Sequence, residues 1–449
     1  MCRFMFFIIL SFLLSACGSG SSGDHSDQDP NQPVEEILYL ASNIQNNSSL
    51  WKTDGTSEGT VLVKEFLVGD DCHFPQMLIP VGNSVFFRGQ YNSFETELCK
   101  SDGTAEGTVL VKDIANNWPS SPLEITEVDG VIYFTADDFD HGRELWKTDG
   151  TEQGTVLVKD IVTIAGQTSG PADLTAFNGS LFFSAVDTAD GRELWISNGT
   201  ETGTFQLKNI DATAGNGLPH NFLATDSLLF FTADDAIHGQ ELWKTDGSAA
   251  GTSLVADIHP TNSSNPYDLN GCSDLVCFLA SDDNSGDFDL WKSDGTETGT
   301  SKIIETSDDI LDIKCAGQNI FFRTVSTING SHQIWVSDGT TSGTKTLKDL
   351  YPGEEYYITL FRQVNGELYF GARPTSEPFG AIWKSDGTET GTTLVADTSL
   401  PKYADPNIYG ADFNHYEVNN TFLFTFGAAL LWRTDGTEEG TVLIKNMAE

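Results

Sequence analysis

One string recurs along the chain, and it is clearest in Glu144-Leu145-Trp146-Lys147-Thr148-Asp149-Gly150-Thr151, which continues as Gly154-Thr155-Val156-Leu157-Val158-Lys159-Asp160. Its period is about 48 residues, and nine copies cover positions 37 to 447. Eight copies keep the tryptophan, namely Trp51, Trp146, Trp195, Trp243, Trp291, Trp335, Trp383 and Trp432, while Cys99 takes its place in copy two. Repeats of this length bury their apolar faces only against neighbouring copies, so the sequence predicts an array of like units.

A full copy contains four short segments with the alternation of β-strands. In copy three the predicted strands are Leu123 to Val128, Val131 to Ala136, Glu144 to Thr148 and Thr155 to Ile161, with a turn at Asp129-Gly130. The Asp-Gly-Thr-x-x-Gly-Thr string reads as a hairpin loop, because Asp accepts backbone hydrogen bonds and Gly adopts positive φ. Four antiparallel strands per repeat predict an all-β fold, a β-propeller.

The number of blades depends on copy one. It begins at Ile37-Leu38-Tyr39-Leu40 with no apolar segment ahead of it for a first strand, whereas the last copy ends just after its fourth strand. The ring is then either nine-bladed with one three-stranded blade, or eight-bladed with copy one packed outside it. Trp51 and both loop glycines favour a ring that includes copy one.

The repeated tryptophan is predicted to wedge between blades. Burying so large a ring is worth on the order of 3 kcal/mol. A sugar-binding platform at each tryptophan is the alternative, but a residue needed equally in every blade favours packing.

The repeated string resembles the ELWxxDGT repeat family of bacterial exported proteins, over residues 37 to 447. The resemblance implies a propeller-like architecture on an exported protein, and it brings no established activity or catalytic residues. Four copies depart from the family pattern, at Cys99, Asn198, Gln333-Ile334 and Leu430-Leu431.

The first residues predict export and anchoring. Residues 1–16 carry Arg3 and an apolar run from Phe4 to Leu14, as in a signal peptide. The end of this run, Leu14-Ser15-Ala16-Cys17, resembles the lipobox of bacterial lipoproteins, which implies a lipid on the Cys17 thiol. Residues 17–33 lack large apolar side chains and predict a flexible tether, which leaves 34–449 for the propeller. Because Gly18 rather than Asp follows Cys17, the same resemblance favours the outer membrane of the cell envelope, with the lipid as the only membrane contact.

The charge balance excludes one class of partner. The chain has 65 acidic residues against 24 Lys plus Arg, a formal net charge of −41, whereas nucleic-acid binding needs a basic surface. Much of the charge is copied with the repeat, through the loop Asp and the Glu before several tryptophans. We expect these acids in turns and solvated loops.

The acidic loops between second and third strands supply oxygen ligands suited to Ca²⁺. The residues concerned are Asp137, Asp138, Asp140, Asp234, Asp235, Asp282 and Asp283. The alternative is that these carboxylates cap their own turns and keep the protein soluble.

An exported location permits disulfides. Cys272 and Cys277 flank a hairpin turn and form the first expected pair, with Cys72 and Cys99 as the second and Cys315 left over. A Cys277–Cys315 pair between neighbouring blades stays open.

Catalysis finds little support in the motifs. The 8 histidines are scattered without zinc spacing, and the sequence has no Gly-x-Ser-x-Gly nucleophile elbow. We therefore predict a lipid-anchored binding or adhesion platform for protein or glycan partners. The alternatives are a glycan hydrolase or lyase acting at the central channel, and a structural component of the cell surface.

Overall fold

The computed structural model describes residues 37–44, 47–67, 69–91, 95–116, 118–164, 167–213, 215–358, 362–377, 380–397, 413–419, 421–426 and 430–447. The predicted signal peptide, Cys17 and the tether lie outside these residues. The described chain contains strands and no helix, and its nine antiparallel sheets form a nine-bladed β-propeller. No helix in this part of the chain is long and apolar enough to cross a membrane.

Each repeat forms one blade, numbered here as its copy. Blades 1 to 3 contain β1 (Leu38–Ile44), β2 (Asn47–Thr53), β3 (Val61–Phe66); β4 (His73–Val81), β5 (Ser84–Tyr91), β6 (Glu95–Ser101), β7 (Val109–Lys112); β8 (Leu123–Val128), β9 (Val131–Asp137), β10 (Arg143–Thr148), β11 (Val156–Lys159). Blades 4 to 6 contain β12 (Ala172–Phe177), β13 (Ser180–Asp187), β14 (Gly191–Ser197), β15 (Thr204–Lys208); β16 (His220–Ala224), β17 (Leu229–Asp234), β18 (Gln240–Thr245), β19 (Ser253–Ala256); β20 (Tyr267–Cys272), β21 (Leu275–Ala280), β22 (Asp289–Ser293), β23 (Ser301–Ile304). Blades 7 to 9 contain β24 (Asp309–Ala316), β25 (Asn319–Val325), β26 (His332–Ser337), β27 (Lys345–Thr346); β28 (Tyr356–Ile358), β29 (Arg362–Val364), β30 (Glu367–Pro374), β31 (Ala381–Ser385), β32 (Thr393–Asp397); β33 (Phe413–Val418), β34 (Thr421–Phe426), β35 (Leu430–Thr434), β36 (Val442–Asn446).

Strands within a blade pair in chain order, except in blade 8, where β28 and β29 both pair with β30. The predicted strands of copy three are confirmed as β8 to β11. The first strands of successive blades contact one another, β8 with β12, β12 with β16, β16 with β20 and β20 with β24. First strands therefore surround the centre of the ring. We call the end of the ring that carries the second-to-third-strand loops and the linkers between blades the linker-side face.

Blade 1 belongs to the ring, so the nine-bladed alternative is the correct one. Its Leu40 and Trp51 share an apolar cluster with Val418, Leu423 and Leu431 of blade 9. Two side chains of blade 9 also donate to the β2–β3 loop of blade 1: Asn419 Nδ2 to the Asp54 carbonyl at 3.2 Å, and Arg433 Nη1 to the Gly55 carbonyl at 3.4 Å. The blade has three strands, as the missing apolar segment predicted.

The repeated tryptophans lie between blades. Trp146 packs on Phe86 and Leu98 of blade 2 and on Phe134 of its own blade. The same arrangement recurs one blade on, where Trp195 meets Tyr133 and Leu145 of blade 3. The indole of Trp146 is 6% exposed, which leaves no face for a sugar ring.

The Asp-Gly-Thr loop has the same hydrogen bonds in all nine blades. In blade 3, Asp149 Oδ1 accepts from the Thr151 N–H at 2.8 Å and from the Thr151 hydroxyl at 2.7 Å. Gly150 has a φ of +86°, and a Cβ on Gly154 would lie 2.0 Å from Asp149 Oδ1. The repeated Asp and both glycines are therefore required by backbone geometry.

Repeated lysines join neighbouring blades through their fourth strands. Lys112 Nζ donates to the Thr155 carbonyl of the next blade at 2.9 Å, and Lys159 makes the equivalent bond to Thr204. Lys64 and Lys348 do the same in their blades. Most of the repeat is thus used in holding the ring together.

Candidate functional site

The predicted calcium ligands close their own loops. Asp137 Oδ1 accepts from the Phe139 N–H at 2.8 Å, and Asp234 accepts equivalently from Ala236. Asp283 accepts from the Ser285 N–H, and Asp282 binds Lys302 Nζ at 2.8 Å. Calcium binding at these loops stays a prediction, and the contacts assign the carboxylates to turns and to an ion pair.

Two of the loops repeat one Asp–His contact. Asp138 accepts from the backbone of Asp140 and His141, and its Oδ2 lies 2.7 Å from His141 Nδ1. Asp235 and His238 form the same pair two blades on. The hydrogen bond that each imidazole makes to the neighbouring carboxylate raises the pKa of His141 and of His238.

The one group of three candidate metal ligands in the described residues consists of cysteines. The sulfurs of Cys272, Cys277 and Cys315 lie within 4.8 Å of one another, between blades 6 and 7. Burial raises the pKa of the Cys277 thiol to about 12. Because the thiolate is the form that binds metals, Cys277 is a poor metal ligand.

The structure corrects the expected disulfide pairing. Cys72 pairs with Cys99, but Cys272 pairs with Cys315 rather than with Cys277. In the β20–β21 hairpin Cys272 lies opposite Leu275, and Cys277 lies opposite Asn270, so the two cysteines are not cross-strand partners. Cys315 on the next blade brings its Cα within 5.3 Å of the Cα of Cys272. Cys277 stays a buried free thiol.

The glutamates before the tryptophans are buried, which corrects the expectation that they lie in solvated loops. Glu144 is fully buried and accepts from the Ser169 N–H at 3.0 Å and the Ser169 hydroxyl at 2.5 Å. Glu97 and Glu241 bind Ser120 and Ser264 in the same way. Each carboxyl group thus fixes the linker that leads to the next blade. A Ser 23 or 25 residues after the Glu was the sequence signal for this contact.

Arginines form a second feature that the sequence reasoning missed. The side chain of Arg143 lies across β9, where Nη1 donates to the Thr135 carbonyl at 3.2 Å and to its hydroxyl at 3.1 Å. Arg192 makes the same contacts with Ser184, and its Nη2 donates to the Gly170 carbonyl at 2.9 Å. Gly170 precedes the innermost strand of blade 4, so these side chains extend toward the centre of the ring.

Blade 2 reaches the same arrangement with the two residues exchanged. Here Arg88 occupies the second-strand position and donates through Nη2 to Thr96 Oγ1 at 3.4 Å, on the third strand. Blades 2, 3 and 4 therefore each hold one guanidinium against a Thr or Ser across the second and third strands, and we call this arrangement the arginine slot. Gln240 stands at the Arg143 position in blade 5, so the slot is not part of the general repeat.

An exposed aromatic pair lies next to the slot. Trp118 and Phe139 are 60% and 58% exposed, and their ring centroids are 5.3 Å apart. Trp118 is the ninth tryptophan and lies in the linker from blade 2 to blade 3, whereas Phe139 lies in the second-to-third-strand loop of blade 3. The position of Trp118 outside the repeated string was the sequence signal for this pair.

Carboxyl groups and one amide also lie on the innermost strands. Glu124, Asp173, Asn221 and Asp268 occupy equivalent positions with positive φ, at bulges in the first strands of blades 3 to 6. Asp268 Oδ2 accepts from the Ile313 N–H of the next blade at 2.8 Å. Burial raises the pKa of Glu124 and of Asp173.

Fold and site together define a nine-bladed propeller with a non-repeated polar and aromatic region on its linker-side face. No family model matches this sequence, and the comparison with curated proteins gave no match either. The ELWxxDGT resemblance therefore stays a prediction.

Distant similarity exists to solved structures. A prolyl endopeptidase is 12% identical with a TM-score of 0.44, over 82% of this chain and 55% of its own. Oligopeptidase B from Leishmania major is 12% identical with a TM-score of 0.43, over 80% of this chain and 52% of its own. The chain thus spans little more than half the length of these proteins, and the similarity carries no activity over to it.

Proposed function

We propose that the protein is a lipid-anchored β-propeller of the bacterial cell envelope that serves as a binding platform for a protein or glycan partner. The observation that carries the proposal is the exposed Trp118–Phe139 pair. The repeated tryptophans are used in packing, whereas these two rings face solvent at a single place on the linker-side face. Exposed aromatic rings on loops of a rigid scaffold are typical of binding sites.

The binding proposal is tested with the full-length chain on a glycan array. We expect at least one glycan class to be retained, and a double variant, Trp118→Ala with Phe139→Ala, to lose at least tenfold in affinity. Phe205→Ala is the matched control, because Phe205 is an exposed ring outside this region. Retention that is unaffected by the double variant, or lost equally in the control, would contradict the platform at this place.

The anchor is tested separately. We expect metabolic palmitate labelling of the wild-type protein and its loss in Cys17→Ala. Label that persists in the variant would exclude Cys17 as the lipidation site.

A hydrolase or lyase at the channel is the second candidate. Glu124 and Asp173 favour it, because their pKa values are raised by burial on adjacent innermost strands, and a pair of carboxyl groups is the usual equipment for glycan hydrolysis. Backbone N–H groups of the next blade already occupy both side chains, which favours a structural role. Release of reducing ends from a bound glycan, abolished in Glu124→Gln, would establish the enzyme.

A further inference from the structure

We propose that Arg88 and Arg143, together with Trp118 and Phe139, form a binding site for a carboxylated glycan. The site lies on the linker-side face where blades 2 and 3 meet. The proposal rests on the platform function and names the ligand class for it.

Neighbouring blades build the arginine slot from two different strands. Arg88 and Arg143 stand on different strands of their blades, yet each lies diagonally across from a Thr, in the order Arg–Thr in blade 2 and Thr–Arg in blade 3. Both arrangements hold a guanidinium against a Thr hydroxyl across the second and third strands. A side chain needed only for one local backbone contact would not have to be supplied from two different strands.

The electrostatic surroundings of the two arginines favour an anionic ligand. In the part of the chain that the structure describes, no carboxylate forms an ion pair with Arg88 or Arg143, whereas Arg323 of blade 7 pairs with Asp312. Arg88 Nε is buried without a hydrogen-bond partner. A chain with 65 acidic residues thus leaves two half-buried guanidinium groups without a salt-bridge partner.

Both arginines contact the same linker between blades 2 and 3 through their hydrogen-bond partners. Thr96 Oγ1, which accepts from Arg88, lies 3.2 Å from Ser121 Oγ, and the preceding Ser120 carbonyl accepts from Asp137, the cross-strand partner of Arg143. Burial lowers the pKa of both side chains, and at Arg143 the charge of Asp137 opposes this shift while the charge of Arg88 adds to it. Since arginine keeps its charge in proteins, a bound anion rather than loss of a proton stabilises desolvated guanidinium groups. Guanidinium groups bind carboxylates through paired N–H donors.

The exposed aromatic pair favours a glycan over a free ion as the ligand. Trp118 lies two residues before Ser120, whose carbonyl accepts from the Asp137 N–H at 3.0 Å, and Asp137 is the cross-strand partner of Arg143. The aromatic pair and the slot are therefore neighbours. Exposed aromatic faces pack against the C–H faces of sugar rings, and a uronic acid offers such a face together with a carboxylate.

Acidic groups beside the site limit its strength. Asp137 lies near Arg143 and favours its charged form, and Asp138 is already paired with His141. More distant carboxylates are screened over about 8 Å at physiological salt. The aromatic contacts must therefore contribute alongside the charges, and affinity for a bare anion should be weak.

The test is calorimetric titration of the full-length chain with a short oligogalacturonate, beside a neutral glucan of equal length and inorganic phosphate. We expect the oligogalacturonate to bind at least tenfold more tightly than either. Arg143→Gln and Trp118→Ala should each weaken it at least tenfold. Arg373→Gln is the matched cation control, because Arg373 lies on blade 8 and contacts Tyr357 instead, and Phe205→Ala is the aromatic control.

The outcomes separate this proposal from the platform function. Equal binding of the acidic and neutral oligosaccharides, or full binding by both Arg143→Gln and Trp118→Ala, would overturn the carboxylated-glycan site. If a protein or neutral glycan found by other means still depends on Trp118 and Phe139, the platform function stands while this inference fails. Circular dichroism and the thermal midpoint of each variant show whether a loss reflects binding or folding.

Discussion

Asp149 shows how one side chain sets the conformation of a loop, because its carboxylate oxygen accepts both the backbone and the hydroxyl hydrogen of Thr151. Asn198 makes the same two bonds in blade 4, at 3.0 and 2.7 Å. We expect Asp149→Asn to leave the thermal midpoint nearly unchanged and Asp149→Ala to lower it, because the variant loses both hydrogen bonds of the loop. Thermal unfolding compares the two variants directly. Equal decreases in the thermal midpoint would show that the side-chain oxygen at position 149 does not stabilise the loop.

Glu97 predicts a pH dependence of stability. Burial raises its pKa from 4.5 to about 7, with the nearby charge of Asp113 adding to the shift. The folded state therefore holds this proton more tightly than the unfolded state. The resulting contribution of Glu97 to the free energy of unfolding is complete below pH 4.5 and is lost as the pH rises toward 7.

We expect the thermal midpoint of the wild type to fall between pH 5 and pH 7 more steeply than that of Glu97→Gln. Melting curves at several pH values measure both slopes, with Glu106→Gln as an exposed control. Parallel slopes for wild type and Glu97→Gln would show that Glu97 does not titrate in this range.

These two residues also show what the sequence reveals at this scale. The loop Asp follows from its local string, since Asp, Gly and Thr within a few positions define the turn. The role of Glu97 depends on Ser120, which is 23 residues away and meets it only when the linker folds back. Contacts of that kind are set by packing between segments, so acidity alone suggested a solvated position.

At the scale of the strand, the same limit appears in the cysteines. The sequence places the β20–β21 turn correctly, but the pairing of Cys272 depends on the neighbouring blade. The strands of a blade follow from local alternation and turn residues, whereas the register of one blade against the next does not.

A cysteine replacement tests this arrangement. In Cys277→Ser we expect both disulfides to persist. In Cys272→Ser we expect Cys315 to pair with Cys277, since the three sulfurs lie within 4.8 Å. Peptide mapping under non-reducing conditions identifies the pairs, and a Cys272–Cys277 pair in the wild type would contradict the structure.

At the scale of the whole molecule, nine like blades must close on a copy that lacks its first strand. The sequence left eight and nine blades open, because closure depends on whether the apolar face of copy one meets blade 9. The structure settles this through Leu40 and Trp51, which pack against Val418 and Leu431. The seam between blades 1 and 9 joins the two ends of the described chain, so it differs from every other interface by having no covalent linker.

That difference predicts how the ring responds to loss of a tryptophan. Trp51→Ala removes a ring at the seam, which is 5% exposed and lies under Lys445 Nζ at 5.1 Å from its centroid. Trp243→Ala removes an equally buried ring at an interface where the chain continues. Each should cost about 3 to 5 kcal/mol of local packing.

Hydrogen exchange distinguishes the two variants. For Trp51→Ala, exchange should rise in both β1–β3 and β33–β36, because an opened seam frees both terminal blades. For Trp243→Ala, the rise should stay confined to blades 4 and 5. Exchange limited to blade 1 in the Trp51→Ala variant would mean that blade 9 is held by its own neighbour and that the seam adds little to the ring.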